Sequence, residues 1–194
     1  AAACDKTPSS EGGNNGGGGS TPPAPAENGY FVQDNDSEYR IIIPAQATAN
    51  EEYAASEIRT FVRQTTGVDL PVESDAGRSY SESEKVISVG NTVYQEGADF
   101  SDVDYDNLTN GAFVIKSFGS LYVLHSDCEE GLLYSAYDFL ERFFGVEFLT
   151  YDATYLPKAD TVAAYEIDLI SEPAFPIRDY YSYPCWWQGV SFGA

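Results

Sequence analysis

The sequence predicts one α/β domain, a two-layer α+β sandwich in which two main helices lie on one face of a mixed sheet of about five or six strands. Three observations lead to this prediction. Two segments carry apolar residues at helical spacing, and short β-branched runs bounded by Gly or Pro lie before, between and after them. The chain before Tyr30 shows neither pattern. Helices that alternate with short strands in this way are typical of a layered sandwich with a mixed sheet.

Residues 1–29 are predicted to be a flexible tether rich in Gly, Pro and Ser. No aromatic or β-branched apolar residue occurs in them, so they cannot bury enough surface to offset the entropy lost on ordering. Small residues before Cys4, followed by this polar tract, resemble the end of a bacterial lipoprotein signal. Lipidation of Cys4 is then expected, and with it a cell-surface or secreted protein. The alternative is that Cys4 is an idle thiol.

The first strand and helix of the domain have clear boundary signals. The β-branched run 40–44 ends at Pro44 and predicts a buried strand. Thr48 and Glu51 have the spacing of a capping box, and Gly67 stands where a left-handed helix end is expected. The apolar face of this helix comprises Ala54, Ile58, Phe61, Val62 and Thr65.

The later elements follow the same reasoning. Ser126 and Glu129 have capping-box spacing, and a wide aromatic stripe follows them up to Gly145, which predicts a second, deeply buried helix. Residues 91–110 are expected to form an acidic loop. The remaining predicted strands are 68–72 at a sheet edge, 85–90, a hairpin of 111–116 with 121–125, 146–149, and an extended piece 162–170.

The net charge of -21 excludes some partners. Binding to nucleic acid depends on Lys and Arg that displace counterions from phosphates, and an anionic membrane surface is unfavourable for the same reason. No apolar run reaches the ~20 residues that a membrane-spanning helix needs. A membrane contact is therefore expected only through a lipid anchor at Cys4.

The candidate chemical motifs each favour a structural interpretation. The acidic run 102–106 begins like a calcium loop, but Asn107 and Phe113 occupy its required Gly and Glu positions. Gly189 to Gly193 matches Gly-x-Ser-x-Gly without the strand and helix that a nucleophile elbow needs. The single His125 ends an apolar strand, which favours a structural histidine over a catalytic or zinc-binding one. No metal, cofactor or catalytic residue is expected here, and the pairing of Cys128 with Cys185 stays open.

Four stretches of the chain together resemble a known domain. They are Ile41 to Pro44 with Glu52 to Ile58 and Thr66 to Pro71; Ile87 to Asn91; Gly111 to Ile115; and Gly131 to Glu141 with Phe144 to Val146. In order and spacing they are similar to the N-terminal non-catalytic α/β domain of α-glucuronidases of glycoside hydrolase family 67. That domain is related to the one that precedes the barrel in β-N-acetylhexosaminidases.

This resemblance implies an accessory domain over residues 38–172 and the truncated start of a catalytic (β/α)-barrel over 173–194. The barrel of the same polypeptide would be its main partner, and the parent protein would be a glycoside hydrolase that degrades polysaccharide. In the hexosaminidase pattern an Arg at the position of Arg178 reaches the sugar, so Arg178 is a candidate substrate-binding residue. The acid and base carboxylates would lie beyond Ala194.

The end of the chain is dense in aromatic residues and holds both tryptophans, Trp186 and Trp187. Their rings are expected to pack into the following barrel. The alternative is that they stack on sugars, in which case the chain is a freestanding carbohydrate-binding module. A protein-interaction domain on a lipoprotein stalk is a third hypothesis.

Overall fold

The computed structural model describes residues 29–104, 111–150 and 152–173. The strands are β1 Tyr30–Val32, β2 Arg40–Ile43, β3 Val72–Ser74, β4 Val86–Val89, β5 Phe113–Phe118, β6 Leu121–His125, β7 Glu147–Thr150, β8 Ala153–Tyr155, β9 Val162–Ala163 and β10 Asp168–Ser171. The helices are α1 Ala49–Thr66, α2 Val93–Gly97 and α3 Glu129–Phe144.

The main sheet has six strands in the order β10-β5-β6-β4-β2-β3. Strands β3, β2, β4 and β6 are parallel, whereas β5 runs antiparallel to both β6 and β10. The sheet is therefore mixed, as the sequence predicted. The other strands form two small sheets, β1 with β9 and β7 with β8.

Helices α1 and α3 cover one face of the main sheet and pack against each other, which confirms the predicted fold class. Alternate residues of each strand point to this face, for example Ile41, Ile87 and Leu124, and all three are fully buried. The stripe of α1 predicted from its spacing is buried at Ala54, Ile58, Val62 and Thr65, while Phe61 is partly exposed.

The ends of α1 form as the sequence predicts. Thr48 and Glu51 make the reciprocal capping box, and Gly67 adopts φ 81° as its left-handed cap. The capping box expected for α3 is wrong. Cys128 is the N-cap of α3, and the Ser126 hydroxyl instead donates to the Ala112 carbonyl at 2.6 Å. This bond ties the start of β5 to the turn after β6.

The opposite face of the sheet is covered by α2 and the residues that follow it. Tyr94, Phe100 and Val103 pack there on the second set of strand residues, such as Val114 and Val123. Helix α2 lies inside the stretch expected to be an acidic loop. Its N-cap is Thr92, whose hydroxyl accepts from the backbone N–H groups of Tyr94 and Gln95.

Strand β1 precedes residue 38, where the sequence placed the start of the domain. Phe31 and Val32 in β1 are fully buried in the core beneath α3, and β9 holds the strand in place by antiparallel pairing. Residues 30–37 therefore belong structurally to this domain.

Three predicted strands differ in detail. The edge strand expected at 68–72 starts at Val72, because Pro71 has no N–H to donate and contributes only a carbonyl to Ile41. Strand β7 leaves the main sheet and pairs with β8. The final extended piece is two strands, β9 and β10, in different sheets. Among the described residues, no helix is long and apolar enough to span a membrane.

Candidate functional site

The carboxyl ends of β2, β4 and β6 lie side by side at one edge of the sheet, which we call the carboxyl edge. The loops there are residues 44–48, 90–92 and 126–128, and the first and last lead into the N-termini of α1 and α3. In open α/β sheets, ligands bind in the crevice outside these strand ends. The carboxyl edge is therefore the first place where a functional site is expected in this fold.

The crevice at the carboxyl edge is largely filled by the side chain of Glu51. One carboxylate oxygen accepts from the backbone N–H of Asn91 at 3.0 Å, and the other accepts from the backbone N–H of Thr48 at 2.8 Å. The space left beside it, between Asn50, Ser126 and Leu132, is about 110 Å³. The chain thus places its own carboxylate where an anionic ligand would meet the start of α1.

Gly90 makes this position of Glu51 possible. Its φ is +83°, and a Cβ atom added to it would overlap the Glu51 carboxylate. Its backbone N–H donates to the Leu124 carbonyl at 2.9 Å. A residue without a side chain is therefore required, both by the backbone conformation and by the close approach of Glu51.

A second buried carboxylate, Asp75, fastens two of the loops. It follows β3 and accepts from the backbone N–H of Ala45 at 2.7 Å and of Val93 at 3.0 Å. Its side chain thereby joins the β2–α1 loop to the start of α2. Both carboxylates, Glu51 and Asp75, accept hydrogen bonds from backbone N–H groups of this chain. They thereby fasten the loops of the carboxyl edge to one another.

The loop after β6 contains Cys128, whose side chain is partly exposed. The backbone N–H of Gly111 donates to its sulfur at 3.2 Å, and its own N–H donates to the Ser126 hydroxyl at 3.1 Å. These contacts hold the loop against the start of β5. Cys185, its possible disulfide partner, lies outside the described residues, so the pairing stays open.

His125 is buried at the end of β6, as expected for a structural histidine. Its Nε2 lies 3.4 Å from an Asp127 carboxylate oxygen, and the ring of Phe100 lies against it. Burial lowers the pKa of His125 from its usual value, although the charges of Asp127 and Glu51 act in the opposite direction.

This burial predicts a pH dependence of stability. Because the folded-state pKa is the lower one, the unfolded chain binds more protons as the pH falls below about 6.5, so the free energy of unfolding decreases from there downward. His125 is the single histidine in the chain, and histidine is the side chain that ordinarily changes its charge in this pH range. We expect His125→Gln to flatten the stability slope between pH about 6.5 and about 5 in urea unfolding followed by circular dichroism. Equal slopes in the two proteins would contradict this interpretation.

A wider groove, of about 540 Å³, lies at the opposite, amino edge of the sheet. Asp34, Asp36, Glu38 and Lys85 line it, and Lys85 forms an ion pair with Glu38. Among the described residues, no group of three or more His, Cys, Asp or Glu is arranged to hold a metal ion.

The acidic run 102–106, which begins like a calcium loop, has a structural role at its first residue, Asp102. Asp102 binds the ammonium group of Lys116 at 2.5 Å, and Asp168 of β10 lies 3.1 Å from the same nitrogen. Burial opposes the charge of Lys116, but these two carboxylates outweigh it and raise its pKa. The ion pairs join the loop after α2, β5 and β10. Asp106 lies outside the described residues.

The residues proposed for substrate binding and lipidation, Arg178, Trp186, Trp187 and Cys4, also lie outside the described residues. The described part instead contains two structural carboxylates that sequence reasoning did not connect with the crevice, Glu51 and Asp75. The capping box located Glu51 at the start of α1. Nothing in the sequence indicated that its second oxygen meets the backbone after β4, because that contact depends on strand order.

No family model matches the sequence, and the search of curated proteins finds no match. The likeness to the N-terminal domain of α-glucuronidases therefore stays a prediction that rests on the four stretches quoted above. What the chain does is argued below from its geometry.

Proposed function

We propose that residues 30–172 form a non-catalytic accessory domain of an exported glycoside hydrolase that degrades polysaccharide, and that the catalytic barrel of the same polypeptide follows from about residue 173. The proposal includes a lipid anchor at Cys4. The kind of enzyme comes from the resemblance to α-glucuronidases and hexosaminidases. The accessory role is supported by the structure of the carboxyl edge.

The observation that carries the accessory role is the closed crevice at that edge. Sites for small ligands are clefts of about 300–1,000 Å³ with a few polar groups directed inward. Here the remaining space is about 110 Å³, and Glu51 directs both oxygens to backbone N–H groups of its own chain. A sugar ring with its hydroxyls does not fit beside it.

Several of the acidic residues described above are engaged within the chain itself. Hydrolysis of a glycosidic bond needs two carboxyl groups on opposite sides of a bound sugar. Glu51 and Asp75 are buried and engaged with backbone, and Asp102 is paired with Lys116. Of the carboxylates in the amino-edge groove, Glu38 is paired with Lys85.

The proposal predicts that the 194-residue chain does not hydrolyse aryl-glycosides, including aryl-glucuronides and aryl-N-acetylhexosaminides. Release of the chromophore would be measured against buffer and against a heat-denatured sample. Turnover that depends on a single carboxylate, for example one lost in Glu38→Gln, would contradict the accessory role.

A titration with oligosaccharides separates this proposal from a freestanding carbohydrate-binding module. Both tryptophans lie at positions 186 and 187, so their fluorescence reports binding at the end of the chain. The accessory role predicts no saturable change. Micromolar binding lost in Trp186→Ala or Trp187→Ala would favour the binding module instead.

A further inference from the structure

The amino-edge groove has the size and lining of a ligand site. Its volume of about 540 Å³ lies within the range of about 300–1,000 Å³ that is typical of clefts for small ligands. One aromatic ring, that of Tyr30, lines it and is 45% exposed. The other side chains that line the groove are polar, namely Gln33, Asp34, Asp36, Ser37, Glu38 and Lys85.

The turn 33–36, which lines this groove, has a fixed backbone. Gln33 and Asp36 exchange two backbone hydrogen bonds, of 2.9 and 3.0 Å, and Asp34 and Asn35 between them have φ of 52° and 62°. Asp and Asn are among the residues that tolerate this left-handed conformation in a two-residue turn. The Asn35 N–H also donates to the Asp160 carbonyl at 3.0 Å, which ties the turn to the chain before β9.

The core beneath the groove fixes the residues on either side of Ser37. The Ser37 hydroxyl donates to the Phe31 carbonyl at 2.5 Å and accepts from the Tyr39 N–H at 3.1 Å. The side chains of Phe31 and Tyr39 are both buried in the core. Tyr30 and Glu38 are their neighbours in the chain, so the groove is formed before a ligand arrives, which lowers the entropy cost of binding.

The charges of the groove argue against two classes of ligand. Its lining holds three carboxylates, of Asp34, Asp36 and Glu38, and one ammonium group, of Lys85, which give a net charge of -2. An anion such as a phosphate or a uronic acid is therefore repelled. A metal ion is not favoured either, since no three acidic groups among the described residues are arranged to hold one.

The polar groups of the groove match a ligand that both donates and accepts hydrogen bonds. The carboxylates accept, the Lys85 ammonium group donates, and the Gln33 amide and the Tyr30 hydroxyl do both. A hydroxyl group also does both, so a ligand with many hydroxyls can use all of these groups. A cationic ligand only donates, and Lys85 would repel it.

The exposed ring of Tyr30 adds an apolar surface to these polar groups. Sugar rings have apolar C–H faces that pack on aromatic rings, while their hydroxyls point outward to polar side chains. We propose that the amino-edge groove binds a neutral oligosaccharide, with one sugar ring stacked on Tyr30 and its hydroxyls bonded to Gln33, Asp34 and Asp36.

This binding activity goes beyond the proposed function and does not depend on it. The accessory role concerns the carboxyl edge, whereas the groove lies at the opposite end of the strands. Strand β10 ends at Ser171, which pairs with Phe113 at the start of β5, so the described chain leaves the sheet at the carboxyl edge. A bound polysaccharide and a following domain would therefore meet this sheet at opposite edges.

Isothermal titration calorimetry of the full chain tests the proposal with four neutral probes: xylohexaose, cellohexaose, mannohexaose and maltohexaose. We expect saturable binding of at least one probe, with a Kd below about 1 mM. Tyr30→Ala should weaken that binding about tenfold or more, because the stacking surface is lost. Tyr30→Phe keeps the ring and should retain most of the affinity.

The matched control is Tyr155→Ala. That side chain is 54% exposed, like Tyr30, but belongs to β8 and does not line the groove. Its replacement should leave the Kd unchanged, and circular dichroism checks that each variant is folded. Equal weakening by Tyr30→Ala and Tyr155→Ala would contradict a specific site in the groove.

Three further outcomes would overturn the proposal. The first is that none of the four neutral probes binds, whatever the hydrolysis assay shows. The second is that hexagalacturonate, an anionic probe, binds as tightly as the neutral ones, or that spermine binds in their place. The third is that binding is lost in Trp186→Ala or Trp187→Ala but kept in Tyr30→Ala. That last result would place the sugar at the end of the chain and would contradict the accessory role as well.

Discussion

Phe31→Ala is expected to lower the free energy of unfolding by about 3–5 kcal/mol, the range typical of a large buried ring replaced by a methyl group. Phe31 is fully buried, and the neighbouring rings lie 4.6 to 5.8 Å from its own, centroid to centroid. They are Tyr39, Tyr122, Phe139, Phe143 and Phe144. Aromatic pairs contribute beyond their buried area, so the loss should lie in the upper part of that range.

The size of this effect matters because small domains have only about 5–15 kcal/mol of stability in total. Urea unfolding followed by circular dichroism measures it. Tyr30→Ala is the neighbouring control, since that side chain is 45% exposed and its loss should change stability by no more than about 0.5 kcal/mol. Similar effects of the two substitutions would show that β1 is not part of the cooperative core.

Gly90→Ala is expected to lower the free energy of unfolding by about 3 kcal/mol. A left-handed backbone costs a non-glycine residue about 1–2 kcal/mol. The added Cβ would also push the Glu51 carboxylate off the N–H groups of Thr48 and Asn91, and an unsatisfied buried group costs about 1–3 kcal/mol.

Gly67→Ala separates these two causes. Gly67 has nearly the same φ, +81° against +83°, but a Cβ there meets open space. Its substitution should therefore show the backbone cost alone. In a Glu51→Ala background, the cost of Gly90→Ala should fall toward that of Gly67→Ala. Equal costs at both glycines in the wild type would rule out the close packing of Glu51 on Gly90.

The sequence predicted those parts of the fold whose signals are local. The capping box of Thr48 and Glu51, the left-handed Gly67 and the short β-branched runs of β2 and β4 each determine their own structure within a few residues. Helix α2 was not predicted, because five residues are too few to show a helical period of apolar positions. The capping box at Ser126 failed because its hydroxyl has a nearer acceptor, the Ala112 carbonyl, that is distant in sequence.

The site was less predictable than the fold. Glu51 can fill the crevice only because β2 and β4 are neighbours in the sheet. No local sequence pattern predicts that strand order. The same holds for Asp75. Its two carboxylate oxygens accept from the backbone N–H groups of Ala45 and Val93, which are 48 residues apart in the sequence. The burial of His125 followed from its place at the end of an apolar strand, and that prediction needed no tertiary information.

The outermost strand β3 has a consequence for solubility. An exposed sheet edge is a template on which other chains can add strands and aggregate. Here the edge strand has three residues, Pro71 precedes it, and its central Glu73 is held between Arg40 and Arg78. An incoming strand would have to strip water from that charged group for very few backbone hydrogen bonds, so this side of the sheet resists fibril growth.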